Sequence, residues 1–422
     1  MAGRVVSLVD PPYGRCPISE LEIRTETMAH GGSAIARLEG KAYFVDGAVP
    51  GDLITGTIDV DKGSWGRIRL DKIIEQSPDR IDPACRHFGH CGGCQWQMGD
   101  YQAQLAWKRE IVIGQLAHLG RHPEPPVRPT VAPGPLYGYR NRMDYRVASG
   151  HPALHERKSN RLVPLRECPI LHQNLADLLV DLGDLGGVEA ITLRTATTTG
   201  KVLVALRGKV PPQASSWGCS VCRTGANGVE PVIGEPALEE DVAGVPFRIS
   251  GTSFFQNNTA GAEHLVSLAT EAAEVGNNDT LLDAYAGGGL FAATVGRRAG
   301  RVLAIEVGAS EARDLQANLN RAGIEEYRVV QAPAEEAVER LDEYWDVVIV
   351  DPPRRGLGAD GIEAVTAAEP RTLVYVSCDP ASLARDTALL AEWEYGLDWV
   401  TPVDMFPQTY HIECVARFVR TY

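Results

Sequence analysis

The chain has 422 residues, with 41 Lys and Arg against 55 Asp and Glu and a formal net charge of −14 at pH 7; it is too long for one core and too acidic to coat nucleic acid without specificity. At 44% hydrophobic and 23% charged residues it is not a disordered chain. No apolar run approaches the roughly 18 residues of a membrane helix, and no signal core follows Met1-Ala2-Gly3-Arg4, so a cytoplasmic protein without a membrane partner is expected.

Residues 17–76 read as five short strands between glycine turns: Glu20–Arg24, Ala34–Arg37, Lys41–Val45, Asp52–Asp59 and Trp65–Ile74. That pattern predicts a small OB-like β-barrel, a frequent nucleic-acid platform. Pro78 through Pro83 break the pattern, a cysteine cluster follows, and Tyr101–Leu119 has helical periodicity through Leu105, Ile111, Leu116 and Leu119. His122–Pro135 is a proline-rich linker. A β-rich middle domain follows over 139–255, with strands at Arg142–Val147, Ala190–Arg194, Lys201–Arg207 and Val245–Ser250; Ser215–Gly228, with Cys219 and Cys222, reads as a loop.

Charge is segregated. Residues 101–170 carry 11 basic and 5 acidic side chains, net +6, whereas 271–350 net −8. A bound polyanion should therefore touch the middle of the chain. Arg140, Arg142 and Arg146 are expected on one face of a strand, with Arg157, Lys158 and Arg161 in the next turn region. The alternative is an ordinary solvated surface.

From Gly261 helix and strand alternate. Helical Glu263–Val275, Leu290–Arg298, Ala309–Ala322 and Ser382–Glu392 interleave with strands Thr280–Tyr285, Arg301–Glu306, Tyr327–Gln331, Trp345–Val350 and Thr372–Ser377. This is an α/β pattern, a doubly wound parallel sheet of Rossmann-like type. The first strand runs into Ala286-Gly287-Gly288-Gly289, and Glu306 ends the next strand, where a carboxylate can accept ribose hydroxyls. A dinucleotide would also suit the glycines, but Leu290–Ala293 lack the third one, and Asp283 inside the strand favours S-adenosylmethionine.

Two further strands end in polar residues: Val347–Val350 before Asp351-Pro352-Pro353-Arg354-Arg355-Gly356, and Leu373–Val376 before Ser377-Cys378-Asp379-Pro380. Asp379 can cap the next helix with Pro380 at its first position, placing Cys378 where the helix dipole favours thiolate. The bland alternative is a structural cysteine at a strand end. Methylation of a pyrimidine at C5 needs such a nucleophile, since addition to C6 is what makes C5 reactive. A base must then remove the C5 proton; His411-Ile412-Glu413 offers Glu413 first and His411 second, the alternative for Glu413 being an edge-strand surface carboxylate.

In this order, Asp351-Pro352-Pro353-Arg354, Ser377-Cys378-Asp379-Pro380 and His411-Ile412-Glu413 resemble the RNA uracil-C5 methyltransferase family. Ser253-Phe254-Phe255-Gln256-Asn257 resembles a further segment of that family, and the resemblance covers essentially the whole chain. It implies S-adenosylmethionine-dependent methylation of a uridine flipped out of structured RNA. It also implies Cys378 as nucleophile, Glu413 as base, and Gln256, Tyr285, Glu306 and Asp351 as donor-binding residues. Phe254 is then the residue that packs on the target base, and Asp351 also hydrogen-bonds the uracil edge. Residues 17–76 resemble the RNA-binding TRAM domain. The chain departs from the family at Leu290, where members carry Asn, and at Pro333, where they carry a polar residue.

Cys85-x5-Cys91-Gly92-Gly93-Cys94, with distant Cys168 before Pro169, offers four thiolates. Glycines around thiolates and a proline after the last suit a 4Fe–4S cluster better than zinc, which prefers paired C-x2-C knuckles. The iron–sulfur members of the uracil family resemble this arrangement, which implies a structural cluster. Cys219 and Cys222 read as ordinary loop cysteines.

The expected organisation is an RNA-binding barrel over 1–76, a central domain over 77–255 with the iron–sulfur site, and a catalytic domain over 256–422, the helix at 101–119 packing on the latter. Barrel and cluster together resemble the branch acting on 23S ribosomal RNA, with tRNA as the second substrate. RNA cytosine-C5 methylation is a rival, although its enzymes carry a second cysteine where Asp351-Pro352-Pro353 has none. A non-catalytic iron–sulfur RNA scaffold is another. A monomer is expected.

Overall fold

The computed structural model describes residues 21–225, 228–340 and 343–421. Cys16, the Met1–Arg4 terminus and the first residue of the expected Glu20–Arg24 strand lie outside the described residues. The chain divides into two compact units, Met1–Ile111 with Pro407–Tyr410, and Val112–Phe406 with His411–Tyr422.

In the first unit, β1 (Leu21–Met28), β2 (Ala34–Leu38), β3 (Lys41–Val45), β4 (Leu53–Asp61) and β5 (Trp65–Glu75) close into a barrel in the order β1-β2-β3-β5-β4. Leu21, Ile23 and Thr25 alternate inward with charged residues outward, as period-two patterning requires. Asp52, expected as the first residue of β4, lies just before it, fully buried. It accepts from the Val49 and Ser77 N–H groups and pairs with Arg80 at 2.7 Å. Helix α1 (Tyr101–His118) follows, its residues to Ile111 counted in this unit and the rest in the second.

The second unit contains two large sheets. β6 (Arg142–Ala148), β7 (His151–His155), β8 (Leu162–Pro164), α2 (Gln173–Asp181), β9 (Val188–Thr195), β10 (Val202–Gly208), β11 (Ser220–Gly225) and β12 (Gly228–Ile233) build a sheet ordered β12-β11-β10-β9-β6-β7-β8. The expected loop at Ser215–Gly228 is therefore corrected. Most of its second half is β11, parallel to β10, and Cys222 is buried with Ala196, Leu203, Ala205 and Leu238. A short strand flanked by glycines carries too little periodicity to be distinguished from a turn. The hairpin of β13 (Ala237–Val242) and β14 (Val245–Ser250) follows.

The second sheet uses α3 (Thr259–Ala273), β15 (Thr280–Ala284), α4 (Leu290–Thr294), β16 (Arg301–Ile305), α5 (Ala309–Arg321), β17 (Tyr327–Val330), α6 (Ala334–Glu339), β18 (Val347–Val350), α7 (Gly358–Ala367), β19 (Thr372–Ser377), α8 (Pro380–Glu392), β20 (Tyr395–Val403) and β21 (Glu413–Arg420). Its order is β17-β16-β15-β18-β19-β21-β20. β15 to β19 run parallel; β21 is antiparallel to both β19 and β20. The strand order reverses between β15 and β18, so the crevice outside their carboxyl ends is where such a sheet binds ligands. Because β21 is reversed, its first residue, Glu413, arrives at that same edge. Part of the expected linker is extended beside β20, with bridges Val127 to Val400 and Val131 to Val403, and it covers an otherwise open edge.

Candidate active site

A cavity of about 810 Å³ opens at this edge. Gln256, Tyr285, Glu306, Asp351, Cys378, Glu413 and Phe254 all line it, so the structure brings every expected donor, catalytic and base-contact residue to one place. Leu290 and Pro333 line it too, so the family's polar side chains at those positions are replaced by apolar wall.

The glycine turn is held from below. Glu306 accepts from Gly287 N–H at 2.9 Å and from Gly308 N–H at 2.6 Å, tying the loops after β15 and β16 together. Gly289 starts α4 at φ 89°, and a Cβ there would meet Leu315 Cδ1 at 2.7 Å, so only glycine fits. Asp283, the buried acid of β15, accepts from Ala292 N–H at 2.8 Å. Burial, opposed by that bond and reinforced by Asp351 and Glu306, pushes its carboxyl up to about 7. Tyr285 sits at φ 75° and donates its hydroxyl to Glu335 at 3.0 Å.

The reactive end follows from strand register. The β19–β21 ladder ends at Ser377 opposite Cys414. Cys378 follows Ser377 and Glu413 precedes Cys414, so both lie just past the end of the ladder; both line the cavity, and the charge of Glu413 acts on Cys378. Cys414 points the other way, into the core. Asp379 caps α8 by accepting from Ser382 N–H at 2.8 Å, with Pro380 in the first turn, as read from the sequence. The expected thiolate is corrected, however. Burial, then Glu413 and Asp351, push the Cys378 thiol up to about 12 against the pull of Arg354. Burial likewise pushes Asp351 up to about 7, and burial with Asp351 holds Glu413 well above the carboxylate range. The helix N-terminus is outweighed by burial and by the carboxyls of Glu413 and Asp351, which arrive at the tips of two other strands. His411 is not among the cavity-lining residues; its ring lies 5.8 Å from that of Phe406 and its Nδ1 3.5 Å from Arg354.

Sequence reasoning missed the residues that fix the Asp351–Gly356 turn. Asp386 on α8 accepts from Leu357 N–H at 2.7 Å, Gly358 N–H at 3.2 Å and the Tyr375 hydroxyl at 2.6 Å. Ser382 donates to the Arg354 carbonyl at 3.0 Å. Gly356 has φ 79°, and a Cβ there would meet Asp386 Oδ2 at 2.5 Å. The signal was an acid and a hydroxyl at turn spacing in α8, indistinguishable from a solvated face.

Cys85, Cys91 and Cys94 belong to the first unit and Cys168 to the second. The Cys91 thiol is raised by burial and accepts from Gly93 N–H at 3.4 Å. Among the described residues no group of three or more His, Cys, Asp or Glu side chains is placed to hold a metal ion. No step of the chemistry is routed through these cysteines. Arg142 and Arg146 share one face of β6, alternating with buried Met143 and Tyr145, as expected. Arg140 precedes β6; Arg142 pairs with Asp144 at 3.1 Å and is bonded inward, and Arg161 pairs with Glu156.

The sheet order, the glycine turn and the acid at the tip of the next strand match an S-adenosylmethionine-dependent methyltransferase fold. The structure matches that of a Pyrococcus abyssi tRNA (uracil-54, C5)-methyltransferase in complex with S-adenosyl-L-homocysteine at a TM-score of 0.73 and 24% identity, covering 94% of this chain and 100% of that one. Residues 238–420 match the family model described as tRNA (Uracil-5-)-methyltransferase. An uncharacterized RNA methyltransferase of Gloeobacter violaceus is 35% identical over 93% of this chain and 95% of its own. One of Thermosynechococcus vestitus is 32% identical over 94% and 97%. The chain belongs to this RNA methyltransferase family.

Proposed function

We propose that the protein methylates C5 of a specific uridine in structured RNA. The observation that carries this reading is that Cys378 and Glu413, within electrostatic reach of each other, line one cavity together with the glycine turn and Glu306. S-adenosylmethionine, when bound, supplies an electrophilic methyl; a cavity lined by the Gly287-Gly288 turn and the carboxyls of Glu306 and Asp351 fits it, with Gln256, Tyr285, Glu306 and Asp351 holding it. Cys378 gives its proton to water and its thiolate adds to C6 of the uracil; the C5=C6 pair, shifted onto C5, forms the bond to the methyl, whose former bonding pair stays with the donor. Glu413 then takes the C5 proton, and the thiolate departs as the C5=C6 bond re-forms. The raised affinity of Glu413 for protons makes its carboxylate a stronger base than an exposed one. Phe254 packs on the flipped base, and Asp351 accepts from the uracil edge.

We read ribosomal RNA as the substrate, from the resemblance of barrel and cysteine spacing to the 23S branch. The tRNA reading is supported by the printed descriptions of the family model and of the Pyrococcus abyssi enzyme. Incubation with methyl-labelled S-adenosylmethionine and unmodified total RNA should place label in 5-methyluridine. Label in 5-methylcytidine, or none in RNA, overturns the reading. The size of the labelled RNA separates ribosomal from transfer substrates.

The barrel is proposed as a TRAM-like RNA contact, and the protein as a cytoplasmic monomer of three domains, 1–76, 77–255 and 256–422. A structural 4Fe–4S cluster on Cys85, Cys91, Cys94 and Cys168 is proposed from the family resemblance. Anaerobically purified protein should then be brown, with about four irons per chain. Colourless protein with one zinc, or with no metal, overturns the cluster.

A further inference from the structure

The Ser253–Phe254 peptide is held at both of its polar groups by charged side chains from three different elements. Its carbonyl accepts from Arg194 Nη2 on β9 at 2.9 Å and from Arg142 Nη1 on β6 at 3.0 Å. Its N–H donates to Glu311 Oε1 on α5 at 3.1 Å. The Ser253 and Ser310 hydroxyls meet at 2.9 Å beside it. The side chain carried by this fixed peptide, Phe254, is 55% exposed and lines the cavity, while the next one, Phe255, packs into the core against Phe247.

Arg194 is hard to explain by stability. It is 2% exposed, its Nε has no partner among the described residues, and Arg142 stands beside it as a like charge. Asp144, Asp314 and Glu240 act on it as counter-charges from a distance, and burial lowers its guanidinium to about 9. Removing a guanidinium from water costs several kcal/mol, and one carbonyl bond already duplicated by Arg142 is a small return. What Arg194 adds is direction: the backbone that bears Phe254 cannot rotate while both its polar groups are held.

We propose that Arg194 is a positioning residue that, with Arg142 and Glu311, locks the Ser253–Phe254 peptide and so fixes the Phe254 ring as a platform for the target RNA base. This rests on the RNA methylation reading of the same cavity. A stacked base gains most when the aromatic is already ordered, since ordering it during binding costs affinity.

The test is a double-mutant cycle between Arg194→Met and Phe254→Ala, with Arg194→Lys and Glu311→Ala as further variants. Wild-type background should show a fall in kcat/KM for RNA of about 30-fold for Arg194→Met, with donor affinity within about twofold, and a partial recovery in Arg194→Lys. In the Phe254→Ala background the same substitution should cost less than about threefold, because there is no ring left to position. Glu311→Ala should behave in the same way if Arg194→Met does not fold. Hydrogen exchange of the 250–258 peptide should quicken in the clamp variants. An equal loss in both backgrounds, or exchange unchanged from wild type, overturns the proposal. Wild-type protein that transfers no methyl to RNA sinks the functional reading instead, and the exchange measurement still judges the clamp.

Discussion

Cys378→Ala is expected to reduce methyl transfer to background while donor affinity stays within about twofold of wild type. In the proposed mechanism the thiol acts only on the base, and alanine removes the group that would form the bond to C6. The substitution also removes a thiol raised to about 12 by burial, Glu413 and Asp351, so no favourable charge is lost from the apo site. Folding should therefore be little affected, and thermal unfolding should follow wild type to within a few degrees. Donor titration with radiolabelled product analysis measures both quantities. Turnover at wild-type rate would remove Cys378 from the mechanism.

Glu413→Gln should give the opposite signature, a trapped intermediate rather than an absent one. The amide keeps the shape and the hydrogen-bonding reach but cannot accept the C5 proton, so release of the thiolate stalls after methylation. Turnover should fall by about 10²–10⁴-fold, the usual worth of a general base. A protein–RNA adduct resistant to denaturing gel electrophoresis should accumulate in step with methyl incorporation. His411→Ala should leave no adduct, because His411 does not line the cavity. An adduct in His411→Ala and none in Glu413→Gln would exchange the two assignments.

The barrel and the alternating helix–strand order were legible in the sequence because each strand there is bounded by glycine turns or by a helix of opposite period. Thr372–Ser377 and Val245–Ser250 are observed with the expected bounds. The catalytic sequence motifs were legible because strand tips at the carboxyl edge carry short polar runs after apolar ones. β20 and β21 were not. β20 contains Pro402, which is tolerated because the strand sits at the sheet edge, and this masks the strand pattern. Without β20, the alternative of an edge-strand surface carboxylate stayed open beside the reading of Glu413 as base, whereas Glu413 is buried on an interior strand. The state of Cys378 could not be read either. Local sequence shows the helix cap, but the two carboxyls that override it come from residues 27 positions before and 35 after it in the chain. Arg194 was missed for a similar reason: within β9 it is one polar residue in an apolar run, and its partner carbonyl belongs to Ser253.

The register of β21 also decides what kind of chemistry the cavity can hold. Successive residues of a strand face opposite ways, and Glu413 is followed at once by Cys414. A slip of one residue against β19 would carry the carboxyl into the core and bring a second thiol opposite Cys378. The pair would then be a dithiol, inert as a proton acceptor and prone to close into a disulfide under oxidation. Pairing of β21 along both of its edges guards against that exchange. A single-residue deletion between Asp404 and Ile412 is thus more than a shortened loop: it puts the identity of the base itself at stake.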